Sequence, residues 1–298
     1  MLSFPSRLKP VFVVLLSASA MGDIAPADFH SLMAEYFDID LIASASFECT
    51  LEYPCERPWQ KLTYAIAGDG PRRRVDLVQE VTGEPTVFSD QGYPPLPYTA
   101  STFIINGTHV LTNGAGKFEA AGPLVPAARK VIYRADRYEN DPQSRLETYY
   151  RRFGYDQAFL ERLVRAEVLG ATETPDAIIV TYGYSSGRDP AGDAWRYTIK
   201  YSRRHFPAPL EILSEKPVGH LTSRLVFSGW KESSGLLYPS ERKLFFPLRC
   251  GEKPVEVLRV QRLQFNAALP ASLFAIEIPP GSEVQDSRVF PPLISTWE

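Results

Sequence analysis

The spacing of apolar residues changes along the chain from a helical period to a strand period. Between Pro26 and Phe37, apolar residues recur every three or four positions, which predicts an amphipathic helix. From Phe47 to Tyr53, apolar and polar side chains alternate instead, as in a strand with one buried face. Runs of the same kind continue along the chain, separated by turn signals such as Asn106-Gly107. We therefore predict one leading helix followed by a long series of strands.

Two amphipathic helices are predicted to interrupt the strands, over residues 143–152 and 156–165. The remaining strands are joined by short polar links, which favours an antiparallel meander over β-α-β units. The predicted fold is mainly β (α+β), a strongly curved antiparallel sheet of about ten strands covered by the N-terminal helix and the mid-chain helical pair. After the strand at residues 45–53, the strand-like runs lie at 61–67, 73–81, 101–105, 109–112, 129–134, 177–184, 195–201, 209–214, 222–231, 236–246 and 254–265.

The composition is that of a folded globular protein. Of the 298 residues, 44% are hydrophobic and 22% are charged, which argues against long disordered segments. The formal net charge is −3, whereas a nucleic-acid-binding protein normally carries a basic surplus that releases phosphate counterions. We expect no nucleic-acid partner.

The N-terminal segment matches the three parts of a secretory signal. Arg7 and Lys9 precede an apolar run at Val11–Leu16, which leads into the A-x-A pattern Ala18-Ser19-Ala20. The alternative is a buried N-terminal strand. The signal interpretation predicts cleavage after Ala20 and an exported protein, periplasmic or secreted. No later stretch is long and apolar enough to cross a bilayer, so we expect a soluble mature chain without a transmembrane segment.

Three cysteines remain in the predicted mature chain: Cys49, Cys55 and Cys250. In an exported protein Cys49 and Cys55 could form a disulfide if the chain reverses between them, because bonded cysteines have Cα atoms within about 7 Å. The alternative is two unpaired buried thiols, and the sequence leaves both open. A zinc site is disfavoured because no second pair of ligands follows at a suitable spacing.

One motif has the form of a catalytic nucleophile. Gly183-Tyr184-Ser185-Ser186-Gly187 fits G-x-S-x-G, which would make Ser185 the nucleophile of a hydrolase. That chemistry requires a helix directly after the serine, and Pro190 and Gly192 disfavour one. We interpret the motif as a hairpin turn and keep the serine hydrolase as an alternative. We predict no catalytic residues, no metal ligands and no cofactor.

Aromatic residues repeat on single faces of the predicted strands. Trp195, Tyr197 and Tyr201 share one face of a strand, and Phe227 lies on the inward face of another. Near the C-terminus the same spacing predicts one shared face for Val255, Val257, Leu263 and Phe265. Such faces form either an ordinary core or the wall of an apolar cavity.

The C-terminal third carries a recognisable series of motifs. It runs from Trp195-Arg-Tyr-Thr-Ile-Lys-Tyr through Val226-Phe-Ser-Gly-Trp-Lys-Glu and Gly235-Leu-Leu-Tyr-Pro-Ser to Leu269-Pro-x-Ser-Leu-Phe and Ile278-Pro-Pro-Gly-Ser-x-Val-x-Asp. This pattern resembles the LolA/LolB/RseB-like superfamily of exported bacterial proteins. The resemblance implies an unclosed β-barrel over helices, with an apolar cavity that takes acyl chains of lipoproteins or other lipids. It also implies one domain over residues 21–298, with an inserted stretch at about 85–165.

These observations together predict a non-catalytic exported carrier whose partner is a lipid or an acylated protein. The residues expected to line its apolar wall are Trp195, Tyr197, Tyr201, Phe227, Phe159 and Leu163. The alternative on the same scaffold is a periplasmic interaction or sensor module that grips an extended segment of a partner protein.

Overall fold

Strands paired in one sheet make up most of the described chain. The computed structural model describes residues 25, 28–81, 98–105, 109–114, 130–134, 146–185, 194–216, 218–275, 278, 280–286, 288–289 and 291–296. The strands are β1 (Ser44–Tyr53), β2 (Arg57–Asp69), β3 (Arg72–Val81), β4 (Tyr98–Ile105), β5 (His109–Gly114), β6 (Lys130–Arg134), β7 (Glu167–Glu173), β8 (Ala177–Ser185), β9 (Ala194–Ser202), β10 (Pro209–Glu215), β11 (Leu221–Ser233), β12 (Leu236–Phe245), β13 (Glu256–Phe265), β14 (Glu283–Asp286) and β15 (Leu293–Thr296). The predicted signal at residues 1–20 and the Asn106-Gly107 turn lie outside the described residues.

The strands form a single open sheet in the order β15-β14-β6-β5-β4-β3-β2-β1-β13-β12-β11-β10-β9-β8-β7. Neighbours are antiparallel, except that β14 runs parallel to β6. The chain starts at β1, adds strands on one side as far as β6, and then begins again at the far edge with β7. From β7 it returns strand by strand until β13 pairs with β1. The predicted mainly β fold with an unclosed antiparallel sheet is confirmed.

The sheet has fifteen described strands rather than about ten. The three strands that the hydrophobic pattern does not predict are β7, β14 and β15. Strand β15 is exposed along its whole length, and β7 along nearly all of it. A strand that buries neither face carries no apolar alternation, so the pattern contains no signal for it.

Three short helices pack on one face of the sheet. They are α1 (Phe29–Tyr36), α2 (Leu146–Tyr150) and α3 (Gln157–Val164), with a 3-10 turn at Arg151–Phe153. We call these four elements the helix layer, and the sheet face that contacts them the inner face. A fourth helix, α4 (Pro247–Cys250), lies between β12 and β13. The leading helix and the helical pair predicted from the sequence are confirmed.

Two local features set the connection between α2 and α3. Gly154 ends the 3-10 turn with φ of 104°, a left-handed conformation that side chains other than glycine rarely adopt. A Cβ at this position would lie 3.3 Å from the ring of Phe37, at the end of α1. The Asp156 carboxylate then accepts a hydrogen bond of 3.2 Å from the backbone N–H of Phe159, which caps the start of α3.

A β-bulge between β1 and β13 changes which residues of β13 face inward. Glu48 pairs with Arg262 and Cys49 with Val260, so Gln261 has no partner on β1. Before the bulge the inward residues of β13 include Leu258 and Val260, both in the main core.

After the bulge Leu263 and Phe265 face inward instead. Val255 and Val257 are buried, but they do not belong to this core. The predicted common face of Val255, Val257, Leu263 and Phe265 is therefore wrong. Inserting one residue into a strand moves every later side chain to the opposite face.

The disulfide joins Cys55 to Cys250, with their Cα atoms 6.0 Å apart. Cys49 is a free, buried thiol. Both alternatives are therefore wrong, because Cys55 is bonded to Cys250 and only Cys49 is an unpaired buried thiol. Cys49 lies inside β1, four residues before the strand ends, which places it about 13 Å from the turn that holds Cys55. The bond links the turn between β1 and β2 to helix α4.

Helix α1 covers the β8–β9 pair through aromatic residues. Phe29 packs against Tyr201, with ring centroids 6.0 Å apart, and His30 packs edge-on against Tyr182 at 5.9 Å. The hydroxyl groups of Tyr182 and Tyr201 hydrogen-bond each other at 2.9 Å in the core. Burial raises the pKa of both tyrosines, and both therefore stay neutral at physiological pH.

Alkylation is expected to distinguish the three cysteines. Cys49 is 1% exposed, and burial raises the pKa of its thiol to about 12, so almost none of it is thiolate at about pH 8. In the native protein it should resist iodoacetamide. In urea without reductant, mass spectrometry should find Cys49 alkylated and a peptide containing Cys55 still joined to the Cys250 peptide. A linked Cys49–Cys55 peptide would contradict the assignment.

The two hydroxyl groups of the Tyr182–Tyr201 pair are expected to contribute to the free energy of unfolding in a non-additive way. Tyr182→Phe or Tyr201→Phe leaves a buried hydroxyl without its partner, and should lower the free energy of unfolding by about 1–2 kcal/mol. The double variant removes both polar groups, so its loss should be smaller than the sum of the single losses. Urea unfolding of the four proteins checks this, and simple additivity would show that the hydrogen bond contributes nothing.

Candidate functional site

The six predicted wall residues all belong to the core between the helix layer and the inner face. Leu163, Tyr197, Tyr201 and Phe227 are buried, while Phe159 and Trp195 are partly buried residues packed against them. All six therefore lie in the layer between the helices and the sheet, and their role as the wall of a ligand cavity stays a prediction. In this structure they contact protein side chains, in the manner of a packed core.

The structure brings three of these residues together at helix α3. The Phe159 ring meets the Tyr197 ring edge-on, with centroids 5.3 Å apart. Trp195 stacks on the other side of the group, 5.9 Å from Tyr197 and 13° from parallel. The Lys216 ammonium lies 4.9 Å from the centroid of the Trp195 ring. Leu163 is buried on the same helix. This group forms the margin at which α3 meets β9.

The other two wall residues lie elsewhere in the core. Tyr201 belongs to the contact with α1, where Phe206 also packs on it at 5.9 Å. Phe227 packs near Trp230, with centroids 5.8 Å apart, and Trp230 in turn contacts Phe37 at 5.8 Å. The six residues thus line separate parts of one continuous apolar layer.

A second aromatic group was missed by the sequence reasoning. Tyr149, Tyr150 and Phe153 from α2 and its 3-10 turn surround Phe47 of β1, and the closest pair is Phe47–Phe153 at 5.1 Å. Phe265 of β13 also contacts Tyr150. The spacing of 149, 150 and 153 is that of one helix face, which was the available signal.

The same region buries charged side chains between β12, β13 and the helix layer. Arg242 of β12 donates from Nη1 to Oε1 of Glu256 on β13 at 2.5 Å, with the two side chains only 12% and 15% exposed. Arg242 pairs across the sheet with Phe227 and Leu258, both of which face inward. The ion pair therefore lies on the inner face.

Arg152 of the 3-10 turn lies close enough to this ion pair for the Glu256 carboxylate to raise the pKa of its guanidinium. Its guanidinium carbon lies 5.8 Å from the ring centroids of both Tyr64 and Tyr149. Among the described residues, its Nη1 is buried without a hydrogen-bond partner. We call Arg152, Arg242 and Glu256 the arginine cluster.

The electrostatics of the arginine cluster follow from burial and from its excess of positive charge. Burial by itself would lower the pKa of Arg152, but the Glu256 carboxylate and nearby tyrosine hydroxyls raise it overall. For Arg242 burial dominates and lowers the pKa, and the like charge of Arg152 adds to that effect. Glu256 acts on both guanidinium groups in the opposite direction. One carboxylate thus acts electrostatically on two buried arginines but is hydrogen-bonded only to Arg242.

A surface depression of about 240 Å³ opens beside the turn where β1 ends and β2 begins. Tyr53 belongs both to its lining and to the set of residues packed against the core. Tyr53 also lies close enough to Arg152 for the guanidinium to affect the pKa of its hydroxyl, although burial raises that pKa overall. The lining residues are Glu52, Tyr53, Pro54, Pro58, Gln60 and Lys61.

Ser185 is the last residue of β8 and pairs with Ala194 of β9. The two strands are arms of a hairpin, whereas a nucleophile elbow needs a helix directly after the serine. Ser186 and Gly187, the rest of the motif, lie outside the described residues.

Within the described ranges, no group of three His, Cys, Asp or Glu side chains is arranged to hold a metal ion. None of the helices described has the length and apolar character that a membrane crossing requires.

Searches with protein-family models and among curated proteins found no match to this chain. Solved structures do match. A DUF1329 family protein from Desulfovibrio piger is 11% identical, over 84% of this chain and 95% of the other, with a TM-score of 0.40. A LolA superfamily protein from Nitrosomonas europaea is 10% identical, over 85% and 98% of the two chains, with a TM-score of 0.38.

A domain from Vibrio parahaemolyticus assigned to outer membrane lipoprotein sorting is 10% identical, over 83% of this chain and 95% of the other, also with a TM-score of 0.38. The resemblance to the LolA superfamily expected from the C-terminal motifs is thus also found among solved structures.

Proposed function

We propose that this protein is an exported, non-catalytic carrier that binds the acyl chain of a lipid or an acylated protein between the helix layer and the inner face. The observation that carries the proposal is that short helices cover the inner face through mainly apolar side chains. The helix layer consists of helices no longer than eight residues, and it meets the sheet mainly through aromatic and aliphatic side chains. An acyl chain could make apolar contacts with the same surface.

Short helices can be displaced by a ligand more easily than long ones. A helix of eight residues has little stability of its own in water and depends on tertiary packing. When a ligand supplies equivalent apolar contact, the helix loses no independent stability by shifting. Helix α3 is the proposed moving element, since its Phe159 is only partly buried and its Val164 is 50% exposed.

The energy available from acyl burial is sufficient for useful binding. Each CH2 group removed from water contributes about 0.8 kcal/mol, so a chain of about ten carbons supplies roughly 8 kcal/mol before the cost of moving the helices. For such a chain, roughly micromolar is therefore the tightest affinity that this term allows once the costs of association are counted. A carrier that must release its cargo has no need of tighter binding.

Two independent features support export. Residues 1–20 have the three-part pattern of a secretory signal, and Cys55 is bonded to Cys250. Disulfides persist mainly in oxidising compartments such as the bacterial periplasm or the extracellular medium. A periplasmic or secreted location is therefore part of the proposal.

The second candidate function is an interaction module for a partner protein. Strand β7 lies at one edge of the sheet and is exposed along nearly its whole length, with Leu169 53% exposed. Such an edge offers backbone groups to an extended segment of another chain. Pull-down of one stoichiometric protein by the delipidated sample, abolished by a proline at Ala171 in β7, would favour this function over lipid carriage.

The acyl-binding proposal is tested first by native mass spectrometry with lipid extraction of protein purified gently from an exporting host. Acyl species at fixed stoichiometry are expected. A protein free of lipid, which also fails to bind added palmitic acid, would overturn the proposal.

Substitutions at the α3 margin then test the location of the ligand. Phe159→Asp places a charge where α3 meets β9, and should weaken palmitic acid binding at least tenfold, because burying a carboxylate opposes acyl entry. Phe159→Leu, which stays apolar, should bind nearly as the unmodified protein does. The matched control is Leu248→Asp, because Leu248 is 84% exposed on α4. Isothermal titration calorimetry measures the affinities and circular dichroism checks folding. Equal affinity for all four proteins would show that α3 does not cover the ligand.

A further inference from the structure

The arginine cluster is a feature that acyl binding alone does not require. An acyl chain needs only an apolar surface, whereas Arg152, Arg242 and Glu256 bring three charges into the layer where that surface lies. Buried charges cost free energy unless they are paired and fully hydrogen-bonded. The pairing in this cluster is incomplete.

The cluster contains one more positive charge than its acidic residue balances. Glu256 is taken up by its 2.5 Å bond to Arg242. The other nearby carboxylate, Asp156, caps α3 and lies 3.9 Å from the exposed Arg151. Neither carboxylate has a hydrogen bond to Arg152 in the described part of the chain, where Arg152 Nη1 remains buried without an acceptor.

We propose that the arginine cluster binds the anionic head group of the ligand, a carboxylate or a phosphate, while the acyl chain lies in the apolar layer. This inference rests on the proposed carrier function and deepens it by naming the class of ligand. A guanidinium group presents paired N–H donors that match the two oxygens of such an anion. An anion beside Arg152 would supply the acceptor that Nη1 lacks and balance the excess charge.

The position of the cluster fits a ligand with one polar end. Tyr53 lines the depression where β1 ends and β2 begins, and it lies near enough to Arg152 for the guanidinium to act on the pKa of its hydroxyl. On its other side, Arg152 rests on Tyr149, whose ring is 6.3 Å from Phe47 in the aromatic group. An acyl chain that leaves the head group there enters the apolar layer directly.

The test compares two ligands with the same acyl chain, one with an anionic head group and one with an uncharged head group. Palmitic acid and its uncharged methyl ester have the same chain, so the difference in their affinities reports the head group. The unmodified protein is expected to bind palmitate at least tenfold more tightly than methyl palmitate in calorimetric titrations. Arg152→Gln should reduce this preference to less than about twofold, because the affinity for palmitate falls much more than the affinity for methyl palmitate.

The matched control is Arg151→Gln. Arg151 is the neighbouring residue, with a side chain 57% exposed, and its loss should preserve the full preference for palmitate. Arg152→Lys keeps the charge without the paired donors, and should retain a reduced preference. Thermal unfolding of each variant shows whether it folds. Because Arg152 is incompletely paired, Arg152→Gln is expected to remain folded.

The possible outcomes separate this inference from the function on which it rests. Equal binding of palmitate and methyl palmitate by the unmodified protein would overturn the head-group site and leave the carrier function intact. Equal loss of both ligands in Arg152→Gln would also overturn it, since the residue would then act only on the fold.

Titration with inorganic phosphate distinguishes the source of the anion. Competition with palmitate but no effect on methyl palmitate supports a site for the anionic group itself. If neither palmitate nor its ester binds, yet phosphate raises the melting temperature of the unmodified protein and not of Arg152→Gln, the carrier function fails and the anion site stands. If phosphate also has no effect, both proposals fail.

Discussion

Strand β1 is the element on which the rest of the molecule depends, because its pairing with β13 joins the two halves of the sheet. Its partners are β2, the next strand along the chain, and β13, which follows about two hundred residues later. Without the β1–β13 pairing, the sheet would separate into two smaller sheets, each with its own exposed inner face. The disulfide from Cys55 to Cys250 ties the end of β1 to α4, the helix that precedes β13. Covalent and backbone links thus fix the same junction.

This junction also determines what the helix layer can cover. Helix α1 packs on β8 and β9, whereas α2 packs on β1 and β2, and these strands lie on opposite sides of the junction. The inner face must therefore be continuous for one helix layer to close it. The cover is made of short pieces because each piece fits one part of a wide surface, and its stability comes from aromatic contacts with the sheet rather than from helix length.

The sequence predicts those parts of the fold that bury one face. Residues 45–53 alternate clearly, so β1 could be predicted, and Phe159 with Leu163 marks the buried side of α3. Strand β7 could not be predicted, since it is exposed almost throughout. The bulge at Gln261 is also invisible to the pattern, because it depends on the register with β1 rather than on the residue itself.

Of the site, the sequence predicts the apolar residues and misses the charged ones. Tyr197 and Phe227 follow from strand alternation, but an arginine at the end of a predicted helix is normally solvated. Arg152 is buried against the sheet because of the turn between α2 and α3, which ends at the left-handed Gly154. The pairing of Cys55 with Cys250, 195 residues away, is likewise a consequence of the tertiary fold.

The location of Arg152 gives the proposed head-group site a second consequence. Arg152 belongs to the turn that joins α2 to α3. A movement of its side chain would therefore shift the connection between these two helices. The guanidinium lies against the rings of Tyr64 and Tyr149 and is hydrogen-bonded to the Tyr64 side chain, but its Nη1 lacks the charge-assisted hydrogen bond that an anion would offer. An anion could therefore draw the Arg152 guanidinium away from its contacts with the two tyrosine rings. Recognition of the head group and displacement of the cover over the acyl chain would then depend on the same residue.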